Sequence, residues 1–159
     1  VLGDRMYTPV AASERALIVD FQRLRTTEAE DPFNRGGIIR EAATRLLPGS
    51  TVATLSHTPF SEEIDGVVDA ARETDVVVIL TRDAVDLPYQ VEIARQVIAA
   101  SADARLIHVA FRGPYDAGVL GDVESTLLTF GDPAVTLHGL IDVLAGIHEP
   151  KAGIPVALP

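Results

Sequence analysis

Val76-Val77-Val78-Ile79-Leu80 is apolar at every position, and this run limits what the chain can fold into more than any other feature. A half-exposed strand alternates apolar with polar residues, whereas a strand covered on both faces has no need to. The run is too short to be an amphipathic helix and far short of the roughly 20 residues that cross a bilayer. It predicts a buried parallel strand over Asp75 to Leu80, at the centre of a sheet with helices on both sides.

The rest of the chain alternates strand-sized and helix-sized patterns around that centre. Arg15 to Asp20 reads as a first buried strand, and Gln22 to Gly37, with Asp31-Pro32 and Gly36-Gly37, as a long loop of the kind that often carries function. Ile38/Ile39, Ala42/Ala43 and Leu46/Leu47 recur at helical spacing until Pro48-Gly49 stops them. Thr51 to Leu55 is β-branched and alternating, a second strand. Ser61 is placed to cap a second helix, with Glu62 and Glu63 in its first turn and Ile64, Val67, Val68 and Ala71 as its apolar stripe. Asp86-Leu87-Pro88 opens a third helix, whose expected buried stripe is Val91, Ala94, Val97 and Ile98.

Arg105 to Phe111 and Ser125 to Phe130 are the fourth and fifth strands. Asp132 is then expected as an N-cap followed by a first-turn Pro133, with Leu137, Leu140, Ile141 and Leu144 facing inward and Gly146 ending the helix. Such an alternation requires right-handed crossovers and a parallel sheet. The expected fold class is α/β: a three-layer α/β/α sandwich, flavodoxin-like, with a mostly parallel sheet of five or six strands, the sixth at an edge near the termini. Residues 1–13 read as a linker or docking arm and residues 14–159 as one domain.

Composition excludes several functions. Hydrophobic residues make up 47% and charged residues 23% of 159, which suits a globular domain. A formal net charge of −10 opposes binding to nucleic acid or to an anionic membrane surface. Cysteine is absent, so disulfides and thiolate metal sites are excluded. The chain begins at Val1 with no basic stretch leading into an apolar one, as expected of a piece trimmed from a longer protein; its compartment stays open.

Familiar catalytic signatures are missing. There is no phosphate loop, no G-x-G-x-x-G after the first strand and no G-x-S-x-G elbow. His57, His108, His138 and His148 lack metal-ligand spacing, and His108, between Ile107 and Val109, reads as a core histidine. No cofactor and no metal are therefore expected. Open α/β sheets bind ligands beyond the carboxyl ends of their strands. Those ends carry Asp20, Arg23 and Arg25, then His57, then Arg82 and Asp83, then Arg112, Tyr115 and Asp116. Arg112-Gly113-Pro114-Tyr115-Asp116 is the most distinctive loop, its Gly and Pro imposing a turn that presents the tyrosine. Glycoside cleavage needs two carboxyl groups roughly 5 to 9 Å apart. Asp20, Asp83 and Asp116 come from different strand ends, and their spacing cannot be read from the sequence.

Two stretches carry a family resemblance. Phe130-Gly131, then Leu140-Ile141-Asp142-Val143-Leu144-Ala145-Gly146, then Pro150-Lys151-Ala152-Gly153-Ile154-Pro155-Val156 resembles the closing segment of family 3 glycoside hydrolases. Val109-Ala110-Phe111-Arg112-Gly113-Pro114-Tyr115-Asp116 resembles a strand and L-R-N/S-P-Y-D loop of two-domain bacterial members similar to β-N-acetylglucosaminidases (β-N-acetylhexosaminidase-like), with Gly113 at the Asn/Ser position. The resemblance implies a C-terminal domain whose partner is an N-terminal (β/α)8 barrel of the same parent chain. That barrel would hold the catalytic residues and the carbohydrate substrate and cleave with retention. A barrel needs roughly 250 residues, so no catalytic residue transfers to this chain. Arg82, Asp83, Arg112, Tyr115 and Asp116 become candidates for the substrate cleft or the barrel interface. Subgroups acting on β-glucosides place a catalytic Glu on this domain; Glu28, Glu30 and Glu124 are only loosely comparable. The alternative is a stand-alone flavodoxin-like binding or receiver-type signalling module, for which Asp20 and Asp83 would be the acids and a lysine after strand five is lacking.

Overall fold

A computed structural model describes residues 7–22, 34–101, 103–121 and 123–150. Strands β1 (Ala16–Phe21), β2 (Ser50–Leu55), β3 (Val76–Arg82), β4 (Arg105–Phe111) and β5 (Ser125–Leu128) form one parallel sheet in the order β2-β1-β3-β4-β5. Helices α1 (Arg35–Leu46), α2 (Ser61–Ala71), α3 (Pro88–Ala100) and α4 (Ala134–Leu144) cover it, and a short 3-10 turn over Pro114–Gly118 joins β4 to β5. The architecture is a three-layer α/β/α sandwich. No sixth strand occurs among the described residues.

Side-chain parity sorts the core into two layers. Ala16 and Ile18 of β1, Val76, Val78 and Leu80 of β3, and Ile107, Val109 and Phe111 of β4 pack against α1 and α4. Leu17, Val19 and Phe21, with Val77 and Ile79, pack against α2 and α3. All seven residues of β3 are buried, as its unbroken apolar run requires. Each fully buried Val, Ile or Leu contributes about 1.5–3 kcal/mol.

Several local expectations change. β3 runs two residues past Leu80, which brings Arg82 inside the sheet. The helix after β1 starts at Arg35, so Gly36-Gly37 is helical and not loop. Asn34 Oδ1 accepts the Gly37 N–H at 2.9 Å and caps it. Gly36 serves close approach: a Cβ there would lie 3.1 Å from the Thr54 side chain and 3.4 Å from Asp20 Oδ2. In α2, Ser61 is the first helical residue. Glu63 caps the entry by accepting the Phe60 N–H at 2.9 Å and the Ser56 hydroxyl at 3.1 Å. The buried face of α3 is rotated from the expected stripe, with Gln90, Ile93, Ala94 and Val97 inside and Val91 and Ile98 only partly covered.

At the last helix, Pro133 occupies the N-cap and Asp132 does not cap. Residues 23–33 and 151–159, and with them most of the expected loop after β1 and the Pro/Gly-rich tail, lie outside the described residues. Before β1, the Tyr7 hydroxyl donates to Val143 O at 3.1 Å and the Val10 N–H to Leu144 O at 2.8 Å. Burial raises the Tyr7 phenol above its ordinary pKa, with Arg105 opposing. Arg105 donates to the carbonyls of Thr8 and Pro9 at 2.6 and 3.1 Å, which straps this arm to the amino edge of the sheet. Gly146, at φ +74°, ends α4 beneath Pro9, where the left-handed backbone suits glycine.

Candidate functional site

In the order β2-β1-β3 the chain turns one way after β1 and the other way after β3, so their carboxyl ends part and leave a crevice. A cleft of about 190 Å³ lies there, bounded by the end of β1 (Asp20, Phe21), the start of α1 (residues 34–36) and Arg82. Asp20 shares the parity of Ile18, and Arg82 that of Leu80, so both point to the α1/α4 side.

Arg82 anchors the arrangement. It is 1% exposed, and its Nη1 donates to Asp20 Oδ1 at 2.5 Å and to Phe21 O at 3.0 Å. Its Nε is 3.4 Å from Asp132 Oδ2, the same oxygen that pairs with Arg35 Nε at 2.8 Å. Phe111, opposite Arg82 in the β3–β4 register, places its ring 4.4 Å from the guanidinium carbon, a desolvated cation–π contact. Gln90 holds the Arg82 backbone from both sides, accepting its N–H at 3.0 Å and donating to its carbonyl at 2.8 Å. Burial pushes the Asp20 carboxyl above the usual carboxylate range, and the Arg82 guanidinium opposes that rise. Arg82 Nη2 is buried with no hydrogen-bond partner among the described residues.

The neighbouring strand ends are shaped by unusual backbone. Asp83, Arg112 and Phe130 follow β3, β4 and β5 with φ of +53°, +71° and +53°. That region is disfavoured for side chains as large as Arg and Phe. Asp116 explains how one of these loops is held: it is buried, and its carboxylate accepts the N–H of Ala84 at 2.9 Å and of Val85 at 3.3 Å. On the α2/α3 side, His108 Nε2 meets Thr81 Oγ1 at 2.9 Å. Burial lowers the His108 pKa to about 4, with Asp116 opposing the shift.

The sequence-predicted residues thus separate. Arg82 is in the cleft wall, Asp116 is a buried loop anchor and Asp83 is half-buried. Arg112, Tyr115 and Glu124 are exposed, Tyr115 at 67%. Arg23, Arg25, Glu28 and Glu30 fall outside the described residues. Asp20 is ion-paired with Arg82, and Asp116 accepts two backbone N–H groups. Sequence reasoning missed Asp132, Arg35 and Gln90. Gln90 had a signal, since it precedes Ala94 and Val97 by helical steps and so interrupts an apolar stripe with an amide. No group of three His, Cys, Asp or Glu residues able to hold a metal occurs among the described residues.

A doubly wound domain with an ion-paired cleft at its switch point is the class these features define. No family model matches the sequence, and no curated protein does. Solved structures share the fold. A family 3 β-N-acetylglucosaminidase from Paenibacillus sp. str. FPU-7 superposes with a TM-score of 0.73 at 19% identity, over 91% of this chain and 27% of that one. A fungal multi-domain family 3 β-N-acetylglucosaminidase, described as having a GCN5-related glucosamine N-acetyltransferase region, gives 0.71 at 18% identity, over 96% of this chain and 16% of that one. The chain therefore has the fold of a part of each enzyme and spans about a quarter of their length or less.

Proposed function

We propose that this chain is a non-catalytic C-terminal domain of a family 3 glycoside hydrolase, whose N-terminal (β/α)8 barrel hydrolyses β-linked N-acetylglucosamine with retention. The observation that carries the reading is the fit of nearly the whole chain to a fraction of two β-N-acetylglucosaminidases. The carboxyl edge of the sheet supports it. Phe60, Val85, Tyr115, Phe130 and Val135 are exposed apolar or aromatic side chains, and each lies where the chain has just left a strand at that edge or begins the next helix. A row of large exposed side chains on one edge suits a docking surface better than open water. The barrel is the partner proposed for it, with Tyr115, Arg112 and Asp83 at the contact, while buried Arg82 and Asp116 hold the edge in shape.

The test is the reading frame upstream of Val1 together with an activity assay. A barrel-sized segment of roughly 250 residues is expected upstream. The isolated chain is expected to leave a nitrophenyl N-acetyl-β-glucosaminide intact, and the full protein to cleave it. Enzyme-like turnover by the isolated chain, or a frame without a barrel, overturns the proposal.

A further inference from the structure

We propose that residues 7–14 form a latch, closed over the amino edge of the sheet and able to open as a unit while the sheet stays folded. The latch does not depend on the glycosidase reading.

The amino edge is shaped to receive this arm. Pro9 sits on Gly146, where a Cβ would lie 3.1 Å from the proline Cβ and 3.2 Å from its Cγ. Glu14 lies on Gly49, where a Cβ would come within 2.6 Å of the Glu14 carbonyl oxygen and force the two backbones apart. Two glycines remote in sequence thus leave room for the arm at two points. Between Pro9 and Glu14, Val10 is 3% exposed and enters the α1/α4 layer of the core.

Polar contacts complete the seat. The last carbonyls of a helix need partners from outside it. In α4 the Val143 carbonyl accepts the Tyr7 hydroxyl as well as the Gly146 N–H, and the Leu144 carbonyl accepts the Val10 N–H. Arg105, the first residue of β4, is the clasp. It holds the Thr8 and Pro9 carbonyls near one end of the arm and the Glu14 carboxylate, at 2.9 Å, at the other. Glu14 in turn accepts the Ala11 N–H at 2.6 Å, which folds the arm back on itself.

The same contacts are few enough to release together. Thr8, Pro9, Ala11, Ala12 and Ser13 are exposed, and no residue of the arm belongs to a strand. Apart from Val10 and the half-buried Tyr7, the arm adds nothing to the two apolar layers. A segment with so little buried apolar surface opens at a lower free energy than the core beneath it. Opening frees eight residues, which span roughly 25 Å when extended. The closed latch therefore fixes the point at which the preceding chain meets the domain, and the open latch turns that point into a tether.

Native-state hydrogen exchange of the full chain, followed by NMR across sub-denaturing urea, tests this. The Val10 amide is expected to be protected, yet to exchange about a hundredfold or more faster than the Val77, Val78 and Ile79 amides of β3, with little dependence on urea. The β3 amides should quicken steeply with urea, because their exchange requires exposure of the whole core. Arg105→Met should speed exchange at Val10 about tenfold and Tyr7→Phe about threefold, in spectra that retain native dispersion. If Arg105→Met does not fold, Tyr7→Phe alone carries the comparison. Equal rates and urea slopes at Val10 and β3 would mean that the arm opens only with the whole fold. Exchange of Val10 at its unprotected rate would mean that the arm is not seated, and unchanged exchange in the variants would mean that these contacts do not hold it. Each of these three outcomes overturns the proposal.

Discussion

His108 offers a perturbation whose size follows from its surroundings. Its side chain has no solvent exposure, its Nε2 is engaged with Thr81, and its Nδ1 lacks a partner among the described residues. Burial lowers its pKa to about 4 from an ordinary value near 6.5. The folded chain thus refuses a proton that the unfolded chain accepts as pH falls below 6.5. Stability from this group is complete above that pH and declines by about 1.4 kcal/mol per unit until the folded pKa is reached. The total is about 3 kcal/mol, a large share of the roughly 5–15 kcal/mol that holds a domain together. His108→Leu removes the titration while keeping an apolar side chain of similar bulk between Ile107 and Val109. Urea unfolding of both proteins near neutrality and near pH 4 checks it. The stability difference between parent and variant should change by about 3 kcal/mol across that range, in the direction that favours the variant in acid. Contributions from carboxylates, Asp20 included, are common to both chains and cancel. Parallel pH profiles would refute the reasoning.

Two further outcomes follow from the carboxyl edge. Arg82→Leu strands Asp20 in the core and should cost about 3–5 kcal/mol by thermal or urea unfolding, with the whole cost recovered when Asp20→Leu is added. Asp116→Ala leaves the Ala84 and Val85 amides, in the loop after β3, without their acceptor; it should cost about 1–3 kcal/mol and speed hydrogen exchange at those two amides more than at the amides of the sheet.

The strands and the inward faces of α1, α2 and α4 were legible because each is written in a local period, whereas the face of α3 is rotated toward Gln90 and Ile93. The apolar run at Val76 to Leu80 marks the sheet centre, and Leu137, Leu140, Ile141 and Leu144 all turn inward as their spacing requires. Legibility failed where a residue's role is set by a distant partner. Asp132-Pro133 reads as a helix cap, yet Asp132 faces Arg35 and Arg82, which are remote in sequence and converge only through the topology. Gly36-Gly37 reads as loop because glycine weakens helices, but the close packing of Thr54 and Asp20 against the first turn of α1 outweighs that penalty. Asp20 and Arg82 were visible as strand-end charges, whereas their pairing needed the parallel β1–β3 register.

The ion-paired cleft is poorly accounted for by stability. Two leucines in place of Asp20 and Arg82 would fill comparable space, and such replacements are commonly neutral or stabilising by about 1–4 kcal/mol. Specification of the fold does not need the pair either, since two apolar layers and five registered strands already define the sandwich. What leucines would not reproduce is a rigid set of charged donors and acceptors at the parting of β1 and β3. Gln90 fixes the Arg82 backbone and Phe111 lies against its guanidinium, so the geometry exists before any ligand arrives. Pre-organisation of that kind lowers the ordering cost of binding and does nothing for an empty core. The double leucine variant should therefore unfold no more easily than its parent, while Arg82→Leu alone is clearly destabilised, and urea unfolding of the three chains side by side checks it.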